Sequence, residues 1–249
     1  LDKTTRGIMA SAAGPNIVND GLVLNLDAAN TNSYSGSGTT WTDISGKGTN
    51  ATLTNGPTFN SGNIGSIALD GTNDYLLNSN AGVLPDGTDL FTLSIWMYYD
   101  ANPSGTFVPG SKGTVVFSGN ADGTMELVIR PDGTSGPPYK MSYSRYGGQT
   151  TGLCAAEDIN MPIQQWHNLV LVRSASDANT IYLNGTSIAT GNVSNSFNSG
   201  SLHIGGAPLQ SNYSGHFNGK IANVLKYNRA LTASEVQQNF DAHKGRFGL

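Results

Sequence analysis

Apolar side chains in this chain recur in short runs of period two, and the runs end at Gly, Asn or Asp. Leu22, Leu24 and Leu26 alternate with Val23, Asn25 and Asp27, which gives a first strand one clearly apolar face. In LFTLSIWMYYD, Phe91, Leu93, Ile95 and Met97 share one face while Trp96 and Tyr98 take the other. A strand apolar on both faces belongs near the centre of a sheet. KGTVVFSGN, GTMELVIRPDG, PYKMSYSRY, WHNLVLVRSA, TIYLNGTSIATG and SLHIGG continue the series. Asp122-Gly123 and Asp132-Gly133 punctuate it as turn pairs, and Asn184-Gly185 is the strongest hairpin signal, because a type I′ turn needs φ > 0 at both positions. Many short strands joined by tight turns predict an all-β fold of two packed antiparallel sheets.

Composition agrees and narrows the function. The 249 residues hold 32 Gly and are 37% apolar and only 12% charged, a mixture suited to short strands and polar loops. A formal net charge of −4 argues against nucleic-acid binding, which asks for a basic face. No apolar stretch approaches the roughly 18 residues of a membrane-spanning helix, so no membrane insertion is expected. Cys154 is the single cysteine; it rules out an intramolecular disulfide and reads as a buried thiol. Residues 1–20 lack any period and end in Gly14-Pro15-Asn16 ahead of the first strand; they read as an arm or linker, with residues 21–249 as one domain.

The one helical signal lies at the end. From Ile221, apolar residues fall at Val224, Leu225 and Tyr227 in an imperfect alternation, as in a half-buried strand. Thr232 and Glu235 then have the spacing of a capping box, and Leu231 stands where a hydrophobic staple onto Val236 would begin. Val236 and Phe240 share a face, and Gly245 after Lys244 is the expected stop.

This wording, Gly219-x-Ile221-x-x-Val224-x-x-Tyr227-Asn228-Arg229-Ala230-Leu231 followed by Thr232-x-x-Glu235-Val236, resembles the C-terminal signature of laminin-G-like, concanavalin A-like jelly-roll domains. Ala222 stands where that family usually has an acidic residue. GLVLNLDAAN, WTDISGKG, ATLTNGPTF and ALDGTNDYL are similar, in the same order, to the N-terminal half of such domains, especially versions in structural proteins of tailed bacteriophages of marine cyanobacteria. The resemblance covers about residues 20–249. It implies a jelly-roll sandwich with one short C-terminal helix, and often a calcium ion on the sheet rim. Asp43, Asp70, Asn73 and Asp74 sit in glycine-containing turns and are the candidate calcium ligands, because hard cations prefer carboxylate and carbonyl oxygens. Asx-turns that need no metal are the alternative.

Catalysis finds little foothold. A retaining glycosidase needs two carboxylates about 5 Å apart, yet Glu235 belongs to the capping box, Glu126 has no acidic residue two positions away on its strand face, and Glu157-Asp158 would face opposite sides of a strand. His167, His203, His216 and His243 are dispersed, without the spacing of a zinc site. Sugar binding asks for exposed aromatics beside polar groups. Tyr139, Tyr143, Tyr146, Tyr213 and His216 lie in or beside glycine-rich segments and are the candidate ligand surface, whereas Trp41, Trp96 and Trp166 sit inside strand patterns and read as core. The expected function is a non-catalytic virion protein that displays a lectin-like jelly roll for particle decoration or host-surface adhesion. Its expected partners are other virion proteins through the arm, host-surface glycans, and further copies of the chain. The alternative is a carbohydrate-binding module of a bacterial surface or secreted protein.

Overall fold

A computed structural model describes residues 15–62, 65–80, 89–100, 114–119, 125–131, 139–145, 154–175, 177–193, 200–206 and 216–249. In chain order its strands are β1 (Leu22–Asp27), β2 (Thr40–Trp41), β3 (Ala51–Thr54), β4 (Thr58–Asn60), β5 (Ser66–Asp70) and β6 (Tyr75–Asn78). There follow β7 (Phe91–Tyr99), β8 (Thr114–Gly119), β9 (Met125–Pro131), β10 (Tyr139–Arg145) and β11 (Cys154–Ile159). Then come β12 (Trp166–Arg173), β13 (Ala178–Leu183), β14 (Thr186–Asn192), β15 (Leu202–Ile204) and β16 (Asn218–Tyr227). Helix α1 (Ala233–Lys244) and one 3-10 turn (Gly245–Phe247) complete the set.

The strands form two antiparallel sheets. One has the order β14-β13-β12-β7-β16-β5-β4, with β1 also pairing to β16, and the other the order β11-β10-β9-β8-β15-β6-β3-β2. Strand β7 lies between β12 and β16, as its two apolar faces require. Phe91, Leu93, Ile95 and Met97 enter the core between the sheets, together with Leu24, Leu26, Trp41, Leu127, Ile129, Leu171 and Val224. Trp96, on the opposite face, lies between Phe240 (centroids 5.6 Å apart) and Phe247 (4.0 Å), nearly parallel to both. The first sheet is therefore covered on both sides, by the second sheet and by the helix. Trp41 and Trp96 are core residues, whereas Trp166 is only half-buried, resting on Phe247 at the rim of the helix contact.

The imperfect alternation after Ile221 has a geometric cause. A bulge between Ile221 and Asn223 shifts the register of β16 on β7. Ile221 and Val224 face the inter-sheet core, while Leu225 and Tyr227 face the helix with Leu231 and Val236. The capping box forms: the Glu235 N–H donates to Thr232 Oγ1 at 3.3 Å and the Thr232 N–H to Glu235 Oε2 at 2.8 Å. The stop is displaced. Gly245 stays right-handed at φ −62 and leads into the 3-10 turn, and Gly248, at φ +76, takes the left-handed stop.

The Asn184-Gly185 hairpin has φ of 51 and 79 at its two turn residues, as the type I′ reading demands. His167 is structural, with Nε2 2.9 Å from the Pro162 carbonyl and Nδ1 3.3 Å from Asn184 Nδ2. Cys154 is buried, and burial pushes its thiol up to about 11. Residues 1–14, most of the stretch read as an arm, lie outside the described residues. Residues 15–20 pack onto the body: Val18 is buried, its N–H donates to Asn239 Oδ1 at 2.8 Å, and Gln238 Nε2 donates to the Asn16 carbonyl at 2.7 Å.

Candidate functional site

After β1 the chain folds into a loop held by its own side chains. Asp27 Oδ1 accepts the Ala29 N–H at 2.9 Å and Asn30 Oδ1 the Asn32 N–H at 3.0 Å. Ser33 Oγ donates to the Thr42 carbonyl at 2.6 Å. This leaves Tyr34 inward, its hydroxyl donating to the Gly38 carbonyl at 2.7 Å and its ring 5.2 Å from that of Phe59. Phe59 lies on β4, the edge strand of the first sheet, and is half-buried. The turn from β4 to β5 is set by Asn60 Oδ1, which accepts the Gly62 N–H at 2.9 Å. At Gly65, φ +58, a Cβ would sit 2.7 Å from Ala29 Cα, so only glycine lets the two loops touch.

Between these loops lies a cleft of about 270 Å³. The half-buried Phe59 ring, the hydroxyls of Thr31, Ser35 and Ser61, and the bare backbone of Gly36 form its working surface, backed by the buried Tyr34 ring, and none of the described lining residues is charged. Beside the cleft, Arg246 pairs with Asp27 at 2.9 Å and also donates to the Gly65 carbonyl at 3.4 Å. Such a surface can hold a small uncharged molecule with one apolar face and several hydroxyls. Neither ring was singled out by sequence reasoning, which weighed tyrosines only in the middle and C-terminal segments. The available signal was one aromatic within the polar loop TNSYSGSGTT, but its pairing with Phe59 is a long-range contact that no local spacing encodes.

The predicted site residues divide. Asp43 is buried and its oxygens are filled by protein donors. Oδ1 accepts the N–H groups of Asn25 and Ser45 at 2.9 and 2.8 Å. Oδ2 accepts Ser45 Oγ at 2.8 Å, the Thr49 N–H at 3.1 Å and Thr49 Oγ1 at 3.0 Å. Burial alone would raise its pKa, but these hydrogen bonds outweigh it and hold the carboxyl below its ordinary value. Asp70, Asn73 and Asp74 share the turn between β5 and β6. Asp70 Oδ1 accepts the Thr72 and Asn73 N–H groups at 2.8 and 3.3 Å, and the first of these does most to lower its carboxyl. Asp74 Oδ2 accepts the Asp70 N–H at 3.2 Å. Burial raises the Asp74 carboxyl, the Asp70 charge adds to the rise, and His216 opposes it. Among the described residues no three His, Cys, Asp or Glu side chains are placed to share an ion. The Asp43, Asp70 and Asp74 oxygens named here accept protein donors.

Of the predicted ligand surface, Tyr143 requires correction. Its side chain is wholly buried in the inter-sheet core, because β10 turns that face inward, and it presents nothing to a ligand. Tyr139 opens β10. Tyr146 and Tyr213 lie outside the described residues. His216 is half-buried beside Asp74 and Gly206, with a Cβ at position 206 falling 2.8 Å from its Nδ1.

Comparison with known proteins places this geometry in context. Among solved structures, domain 4 of AbnA, a GH43 extracellular arabinanase from Geobacillus stearothermophilus, in complex with arabinotriose, is similar at a TM-score of 0.62 and 19% identity, over 88% of this chain and 98% of that one. The binding domain of Paraclostridial Mosquitocidal Protein 1 aligns at a TM-score of 0.64 and 18% identity, over 90% of this chain and 53% of that one. Trypanosoma rangeli sialidase aligns at 0.62 and 16% identity, over 95% of this chain but 37% of its own. At these identities the likeness is one of fold. No curated protein matches the chain in sequence. The family model for the concanavalin A-like lectin/glucanases superfamily matches residues 70–237, more than half of the chain and the span from the β5–β6 turn into the capped helix; the chain belongs to that superfamily.

Proposed function

We propose that this domain is a non-catalytic glycan-binding module whose ligand sits in the rim cleft between the β1–β2 and β4–β5 loops. The observation that carries the reading is the cleft itself, a half-buried Phe59 ring backed by Tyr34 and set beside three exposed hydroxyls, with no charge among the described lining residues. Sugars offer the complementary surface, with apolar C–H faces that rest on rings and hydroxyls that both donate and accept. The arabinanase domain in complex with arabinotriose supports a sugar as the ligand class for this fold. A non-catalytic role is supported by Glu235, whose oxygens are taken by Arg229 at 2.6 and 3.0 Å and by the helix cap. The reading requires no resident cation. Calorimetric titration with sugars that score on a multivalent glycan array tests it: saturable, millimolar or tighter binding is expected, and an array blank at high valency would sink it.

The setting we propose is a tailed-phage particle, with residues 1–14 attaching the domain to a neighbouring virion protein. The order of the N- and C-terminal motifs supports it, because their wording is similar to that in structural proteins of tailed phages. Deleting residues 1–14 should leave the thermal midpoint in place, since the packing described begins at residues 16–18, while incorporation into particles is lost. Normal incorporation of the truncated chain would refute that role and favour a bacterial surface or secreted module.

A further inference from the structure

The cleft also constrains which sugars it can take. Resting on the glycan-binding reading above, we infer that it selects a single uncharged sugar ring, at the end or on the side of a glycan, and rejects uronate, sialylated and sulfated units. Three observations carry this. First, the described lining residues are all neutral, and the flanking pair Asp27–Arg246 is closed at 2.9 and 3.0 Å. An incoming carboxylate or sulfate would find the adjacent Arg246 already engaged by Asp27, and burying a charge without a counterion is costly.

Second, the size is that of one ring. About 270 Å³ lies just below the roughly 300–1,000 Å³ of ordinary small-molecule sites. Third, position 36 is glycine at φ +96, and a Cβ there would rest 3.6 Å from Phe59 Cε1. Any side chain would run along the ring edge that a sugar would use, so the bare backbone keeps this edge open. Thr31, Ser35 and Ser61 are exposed, and Ser35 Oγ makes only a long 3.3 Å bond to the Ser37 carbonyl. These hydroxyls can turn to match neighbouring sugar hydroxyls of either polarity.

The test titrates the full chain with cellotriose, xylotriose and chitotriose as neutral probes, and with trigalacturonate and 3′-sialyllactose as acidic ones. Ser61→Trp fills the cleft from an exposed position, and Phe59→Ala removes the stacking ring; thermal midpoints control for folding. At least one neutral trisaccharide should bind, with affinity falling at least tenfold in both variants and acidic probes at least tenfold weaker. Should Phe59→Ala unfold the domain, Ser61→Trp still reports. Unchanged binding in Ser61→Trp overturns the cleft as the site while leaving a glycan-binding domain in place. Equal or tighter binding of an acidic probe overturns the selectivity. If the wild-type chain binds neither these sugars nor any on the array, both readings fall.

Discussion

Asp43, a candidate hard-cation ligand by residue type, is engaged by protein donors in the fold. Its carboxylate accepts five hydrogen bonds that tie β1 to the turn at residues 43–49. Asp43→Ala should therefore destabilise the domain by about 2–3 kcal/mol, the scale for hydrogen bonds to a charged group and for donors left buried. The wild-type thermal midpoint should be the same in excess EDTA as in millimolar calcium; a rise of several degrees with calcium would restore the ion. Gly219 carries the opposite lesson. It opens the motif that suggested the family, and its identity is steric: a Cβ there would run into the Tyr98 carbonyl oxygen, with Phe217 Cε1 at 2.8 Å. Gly219→Ala should cost roughly 3 kcal/mol, combining overpacking with an unfavourable φ, and a urea melt with an unshifted midpoint would contradict this. Sequence named both residues as notable. What it lacked was the partner of each: the Asn25 N–H and the Tyr98 carbonyl come from other strands, and the Ser45 and Thr49 donors converge on Asp43 only once the turn has formed.

Elements were more legible than contacts, because their signals are local. The type I′ hairpin at Asn184-Gly185, the doubly apolar strand β7 and the capping box at Thr232 all depend on residues within a few positions of one another. Where an element departed from expectation, a feature without a local signature was the cause. The bulge in β16 explains its irregular alternation, and the 3-10 turn moves the helix stop from Gly245 to Gly248. The cap has a pH signature. The Arg229 side chain first, and then the Thr232 N–H, hold the Glu235 carboxyl down to about 2 from an ordinary 4.5. A depressed folded-state pKa stabilises the fold above the unfolded value and loses that contribution as pH falls through the folded one. The stability gap between wild type and Glu235→Gln should be constant above pH 4.5 and shrink as pH falls toward 2. Chemical denaturation at several pH values checks it, and a gap that widens in acid would show that Glu235 does not act through its charge.

At the scale of the whole molecule, the helix covers the outer face of the first sheet, and the chain before β1 is fastened to both. Three hydrogen bonds close a ring that joins the N-terminal segment to β16 and the helix: the Val18 N–H donates to Asn239 Oδ1 at 2.8 Å, Asn239 Nδ2 to the Tyr227 hydroxyl at 3.0 Å, and that hydroxyl to the Val18 carbonyl at 2.8 Å. All three residues are buried, and burial pushes the Tyr227 hydroxyl up to about 12. No periodicity could have shown this ring, whose members lie 209, 221 and 12 residues apart. It gives residues 15–20 a place in the folded body and leaves the rim cleft on the far edge strand β4 independent of them. Tyr227→Phe leaves the Val18 carbonyl and the Asn239 amide without their partner, and Asn239→Ala leaves the Val18 N–H and the hydroxyl short of theirs. Each should cost about 2 kcal/mol. Because each deletion already breaks the ring, the double variant should be less destabilised than the sum by at least 0.5 kcal/mol, as for residues in one hydrogen-bond network. Strict additivity would mean that the three segments dock independently, and that the packing of the N-terminal segment could be lost without weakening the helix it rests on.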